Sequence, residues 1–225
     1  RARAHIYREE EDETLRALCN AARKHELWLH IGSLAVRIGD GDDRLANRSF
    51  VIDDSGAIRA RYDKMHLFDV DLPNGETWRE SAAYRPGLSA IVVDTPVGPL
   101  GLSICYDIRF PALFSALSDA GAKLLAVPAA FTVPTGKAHW HILLRARAIE
   151  NAAFVIAAAQ CGRHEDGRET YGHSVVIDPW GTLLLDREGV GLGYADIDLE
   201  RVADVRARIP VLAHRRIIPQ VEHLP

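Results

Sequence analysis

Nowhere in this 225-residue sequence is there an unbroken apolar run of the ~20 residues that a membrane helix requires. The opening residues, RARAHIYREEEDE, hold no apolar core segment, so no signal peptide is predicted. Cysteine is scarce: Cys19, Cys105 and Cys161 are odd in number, far apart and form no CxxC pair. Their spacing speaks against a disulfide framework or a structural zinc site and suits a reducing cytoplasm. Basic runs are missing as well. With 27 Lys and Arg against 31 Asp and Glu, the formal charge is −4, which argues against nucleic acid and anionic membranes as partners. A glycine-rich dinucleotide loop is also lacking, because GVGLG at 189–193 leads into a strand-like segment and not a helix. No repeat or low-complexity linker divides the chain. Apolar residues at 48% and charged residues at 26% fit a single globular domain over residues 1–225.

The pattern of apolar residues predicts a mixed α/β protein. Residues 10–25 read as an amphipathic helix, acidic at its start and basic at its end, as the helix dipole favours. Strands are predicted at 27–36 and 48–54, with DDSG (53–56) turning the chain into a further strand at 57–62. After a polar loop ending in RPG, strands resume at 90–94 and 100–105. A helix follows at 110–121, with Pro111 in its first turn. Next come a buried strand at 123–130, a helix at 137–151, strands at 154–160, 173–178, 182–186 and 191–197, and a last helix at 199–209. Hairpins that alternate with strand–helix–strand units predict mixed sheets covered by helices.

Three side chains could do chemistry. Cys105 closes the apolar run LGLSIC just before a helix, where backbone N–H groups and the positive helix end can lower a thiol pKa. An inert buried cysteine is the alternative reading of that position. Lys64, in DKMHLFDVD, is by default a solvated lysine, or else a cation that stabilises an oxyanion or holds a carboxylate. Glu80, in WRESAAYRPG, is by default a surface carboxylate. Cys19, in an amphipathic helix, and Cys161, at a strand exit, read as inert.

The blocks YDKMHLFDVDLP, WRES, YRPG, GLSICYDIRFP, AHWHILLRARAIEN and YGHSVVIDPWG, in that order, resemble the Nit branch of the nitrilase superfamily of carbon–nitrogen hydrolases. The resemblance runs from about Gly32 to about Arg216. It implies a four-layer α-β-β-α sandwich, a homodimer or higher homo-oligomer, and hydrolysis of linear amides without a cofactor or metal. Carried over to this chain, it implies that Cys105 is the nucleophile, that Lys64 and the Tyr106 backbone N–H hold the oxyanion, and that Glu80 orients Lys64 and the substrate. The family's general base is a glutamate in a Pro-Glu context on an early strand. That glutamate is expected upstream of Arg1, as are the first family strands. Glu9, Glu10, Glu11 and Glu13 lie on a polar helix start, too close in sequence to Lys64 to replace it.

Two Nit types are close: ω-amidases acting on α-ketoglutaramate, and amidases acting on deaminated glutathione. FDVDLP fits the first. LLRARAIE, AAAQCGRHEDGRETYGHS and ARIPVLAHRR favour the second, so a small carboxylate-bearing amide is the expected substrate. Arg109, Phe131, Thr132 and His139 are the expected substrate-binding residues, with a structural salt bridge equally open for Arg109. Arg145 and Arg147, two apart on a helix, cannot share a face, and Glu150 is a candidate partner for Arg147. His139 and His141 read as surface or packing residues, because no other His, Asp or Glu stands near them at zinc spacing. Three other readings stay open: a Cys–His hydrolase, a catalytically silent scaffold with this fold, and a true nitrilase. Tyr106–Asp107 after the cysteine speaks for an amidase over the last of these.

Overall fold

A computed structural model describes residues 6–39, 41–72 and 75–224 of the chain. The first helix, α1 (Glu13–His25), opens on Asp12, whose side chain accepts the Leu15 N–H at 2.8 Å, and closes on Arg23, Lys24 and His25. It leads into a three-stranded antiparallel sheet of β1 (Leu29–Arg37), β2 (Leu45–Ile52) and β3 (Ile58–Asp63). The β2–β3 turn is the predicted one. Asp53 Oδ1 accepts the N–H groups of Ser55 and Ala57, and Gly56 takes the left-handed conformation (φ 80°) that closes it.

A short hairpin, β4 (Asp69–Asp71) and β5 (Thr77–Arg79), follows. Then come β6 (Val92–Thr95), β7 (Gly98–Leu102), α2 (Pro111–Asp119), β8 (Leu124–Ala126), α3 (Val133–Asn151) and β9 (Phe154–Ala157). The chain continues through the small hairpin β10 (Cys161–Arg163) and β11 (Glu169–Tyr171) to β12 (Ser174–Ile177), β13 (Leu183–Arg187) and α4 (Glu200–Arg208). Six of these strands form one mixed sheet in the order β13-β12-β9-β8-β7-β6, parallel at its centre and antiparallel at both edges.

Strand alternation sorts the core into three layers of contact. On β2, Phe50 and Ile52 point to Leu15 and Ala22 of α1, while Val51 points the other way. Val51, Ala60 and Tyr62 meet Leu100, Leu102, Leu124, Ala126 and Phe154, the inner face of the large sheet. The outer face, with Leu125, Val155, Ala157, Val175 and Ile177, packs on Phe114 and Leu117 of α2 and Trp140 and Leu144 of α3. Helix, sheet, sheet, helix is the four-layer sandwich expected above.

Several predicted boundaries are corrected. The strand expected over 123–130 ends at Ala126, because Pro128 has no N–H for the ladder. α3 begins four residues before the predicted 137, since Pro134 fits a first helical turn instead of breaking it. Residues 191–197 form no strand: Leu192 and Tyr194 stay exposed, as does neighbouring Val190, so no burial offsets the cost of ordering them. The β4–β5 and β10–β11 hairpins were not legible, because three-residue strands carry too few alternations.

Between the sheets, His30 of β1 shares a 2.8 Å hydrogen bond with the buried Ser49 hydroxyl. Burial lowers its pKa from 6.5 to about 4. Between those values the unfolded chain holds a proton that the folded one refuses. Stability should therefore fall as pH drops from 6.5 toward 4 and level off below, by roughly 3 kcal/mol at most from this group. Urea titrations of the wild type and His30→Gln at pH 7 and 4.5 test this. The variant should lose markedly less stability in acid, and equal losses would refute the role of His30.

Candidate active site

Cys105 sits where β7 has already ended, three residues beyond Leu102, and opens a 3₁₀ turn over Cys105–Arg109. Its backbone is left-handed (φ 51°), an uncommon state for a non-glycine residue, so the surroundings must hold it. Two anchors do so. The Cys105 N–H donates to the Pro128 carbonyl at 2.9 Å, using the acceptor that interrupted β8 leaves over. Two residues on, the fully buried Asp107 binds the chain on both sides of the turn. Its Oδ2 accepts the Ile104 N–H at 2.8 Å and the Tyr62 hydroxyl at 2.7 Å. Its Oδ1 accepts the His66 N–H at 2.9 Å and lies 2.7 Å from His66 Nδ1. The His66 ring stacks on Phe110 with centroids 3.7 Å apart. Tyr62 and His66 were not singled out from sequence, and Asp107 was noted only as the amidase-like residue after Tyr106.

Lys64 follows directly on β3, and only 4% of its side chain is exposed. The default of a solvated lysine is therefore wrong: its ammonium lies 2.5 Å from Glu80 Oε2. Glu80, in a 3₁₀ turn after β5, is itself pinned. Its Oε2 also accepts the Phe68 N–H at 2.7 Å, and its Oε1 accepts from Asn47 Nδ2 at 3.1 Å. Asn47 was missed in the sequence, where nothing marks it apart from a strand polar residue.

Lys64, Glu80, Cys105, Tyr106, Phe131 and Thr132 line one cavity of about 710 Å³. Its wall includes Trp78, Arg79, Arg168, Glu169 and Thr170 from the two unpredicted hairpins. The half-buried thiol differs from expectation in one respect. Burial pushes its pKa up; the Lys64 charge and a hydrogen bond from the Ala130 backbone pull against that without reversing it. Cys105 thus rests as a thiol and needs a base to take its proton. Glu9 does not line this cavity, being tied to Arg48 at 3.2 Å and to Arg61.

Arg109 and His139 are not among the described residues of the cavity wall. They pair with each other, Nη2 to Nδ1 at 3.2 Å, with the Arg109 guanidinium over the rings of Tyr106 and Phe131, which do line it. Arg147 bonds Glu150 at 2.7 Å as expected, and Arg145 turns instead to the Gly181 carbonyl. His141 departs from the reading above. His173 and Asp186, 32 and 45 residues away in sequence, gather around it, which local spacing could not reveal.

Comparison with known proteins fits this geometry. The family model described as carbon-nitrogen hydrolase matches residues 1–207. A deaminated glutathione amidase of Yersinia enterocolitica is 44% identical over 199 residues, 88% of this chain and 70% of that protein. Another, of Dictyostelium discoideum, is 46% identical over 200 residues, 87% of this chain and 69% of that protein. The crystal structure of the C. elegans NitFhit protein superposes with a TM-score of 0.85 at 46% identity, covering 91% of this chain and 50% of that one.

Proposed function

Because the chain belongs to the carbon-nitrogen hydrolase family, we propose that it hydrolyses the amide bond of deaminated glutathione through a thioester on Cys105. The observation that carries this reading is the convergence of Cys105 and the buried Lys64–Glu80 pair on one cavity. An amide resists attack because its carbonyl oxygen must take up negative charge and its nitrogen must leave protonated. The Lys64 ammonium and the Tyr106 backbone N–H are assigned to that oxygen. Glu80 holds Lys64 in place, fixed in turn by Asn47 and the Phe68 amide. Cys105 Sγ attacks the carbonyl carbon, the amine leaves with the proton delivered by the base, and water then cleaves the thioester. With all its oxygens engaged, Glu80 is an orienting group. The family pattern assigns the base to a further glutamate, distinct from Glu80.

The cavity volume favours the longer substrate. About 710 Å³ suits a molecule of tripeptide length, whereas α-ketoglutaramate would leave much of it filled by water. Arg79 and Arg168 at its wall, which here pair with Asp71 and Asp166, suit a substrate whose carboxylates take over those partners. The same reading has the enzyme acting in the cytoplasm as a homodimer or higher homo-oligomer. Three free cysteines support the compartment. Exposed Ile142 and Ile149, one face of α3, with Trp180, Leu183 and Leu184 nearby in the fold, support the pairing. No described helix is long and apolar enough to cross a membrane.

Both candidate substrates release 2-oxoglutarate on hydrolysis, so one assay compares them. Protein expressed from the whole open reading frame should form it faster from deaminated glutathione than from α-ketoglutaramate, with no turnover by Cys105→Ala. A preference for α-ketoglutaramate would make the protein an ω-amidase. Silence with both would remove the proposed substrate class.

A further inference from the structure

We propose that His141, His173 and Asp186 form a divalent-cation site, best matched to zinc, outside the hydrolytic cavity. The three residues come from three elements: His141 from α3, His173 from the residue before β12, and Asp186 from β13. One ligand atom from each lies within 4.8 Å of the other two. His141 Nε2 is 3.0 Å from Asp186 Oδ2, and His173 Nδ1 is 2.8 Å from Asp186 Oδ1. Two imidazoles and a carboxylate are a zinc donor set that leaves a fourth position for water. In a tetrahedral site with bonds of about 2.0–2.1 Å, donor atoms lie roughly 3.3 Å apart. Closing this cluster on an ion therefore takes side-chain shifts of about an ångström.

The site is held ready by its surroundings. Gly172 and His173 are both left-handed (φ 74° and 57°), a state uncommon for a residue other than glycine, which the surroundings of His173 constrain. The constraint is visible: the Trp140 indole N–H donates to the His173 carbonyl at 2.8 Å, and the His173 ring stacks on Tyr171 at 4.4 Å. Tyr171 is itself clamped by α3, which passes so close that a Cβ on Gly136 would sit 2.3 Å from its ring. The three ligands keep 27%, 19% and 36% side-chain exposure, enough to admit an ion with its water. Occupancy would tie α3 to β12 and β13. It would also brace β11, whose Glu169 and Thr170 line the cavity.

The test uses a Cys105→Ala background, which removes the cavity thiol as a competing ligand. Cobalt(II) and zinc(II) are titrated against a chromophoric chelator. One equivalent per chain is expected, with the intense visible bands of a four-coordinate cobalt ion. His141→Gln and Asp186→Asn should each weaken binding at least about 100-fold and abolish those bands. Zinc at about 100 times its Kd should raise the Tm of the parent by roughly 5–10 °C and leave the variants unmoved. Circular dichroism verifies that each variant is folded, and His141→Gln, on the helix surface, decides if Asp186→Asn does not fold. No stoichiometric uptake by the parent, or equal uptake by folded variants, would overturn the site and leave Asp186 as a hydrogen-bond bridge between two imidazoles.

Discussion

Lys64→Met should lower kcat by at least ~10²–10³-fold, the usual cost of losing one oxyanion donor. It should also destabilise the fold by roughly 3 kcal/mol, because the Glu80 carboxylate is then left buried without its cation. Two effects in one variant invite the objection that activity fell only because the protein loosened. The double variant Lys64→Met/Glu80→Gln separates them. Removing the stranded charge should restore most of the lost stability, since the Gln oxygen can accept the Phe68 N–H while the Asn47 amide turns over and its Oδ1 accepts from the Gln NH₂. Turnover should stay lost. A double variant that recovers both stability and kcat would reduce Lys64 to a structural ion-pair partner. A further readout follows from the thiol. Lys64 pulls the Cys105 pKa down against burial, so alkylation of Cys105 at fixed pH should slow in Lys64→Met even where the fold is intact.

That pairing shows where sequence was a good guide and where it was not. Lys64 and Glu80 carry no local sign of function: each sits in a polar stretch without clean periodicity, and only block order tied them to Cys105. Their 2.5 Å contact depends on bringing the end of β3 beside the turn after β5. Mixed sheets covered by helices were legible because strand alternation and helix caps are local and repeat, whereas their stacking in four layers came only from the family resemblance. Phe50 and Val51 already point to opposite layers by their parity on β2. The wall of the cavity was not legible. Trp78, Arg79 and Thr170 ride on three-residue strands, and Arg168 on the turn before one, whose partners are found only in three dimensions. Arg109 is four residues from Cys105, and its pairing with His139, 30 residues on in sequence, was not legible from any local pattern. The thiol pKa failed for a related reason: a cysteine before a helix gains favourable dipoles, but the sequence does not show how deeply it is buried.

Asp107 is the residue with the largest expected structural effect. Its carboxylate gathers the Ile104 and His66 N–H groups and the Tyr62 hydroxyl at a point without solvent. Asp107→Ala should cost about 4–5 kcal/mol, because these buried donors lose their acceptor together. Asp107→Asn keeps the shape, but its NH₂ must face one of the two donor pairs, so about 3 kcal/mol is expected. The consequence for catalysis runs through the backbone. Cys105 stays left-handed because the turn is fastened at Ile104 and Asp107 on its flanks and at Pro128 beneath it. Releasing one fastening lets Cys105 relax toward ordinary φ, and a displacement near 1 Å at a nucleophile costs about 10²-fold in rate. Tyr62→Phe is the control: it removes one partner of Asp107 and the acceptor of the Met65 N–H but leaves the turn fastened, so it should lose about 2 kcal/mol and change kcat by less than about threefold. Urea titration and kcat for the three variants decide the matter. An Asp107→Asn protein as stable and as active as Tyr62→Phe would mean that the turn holds Cys105 without help from the carboxylate.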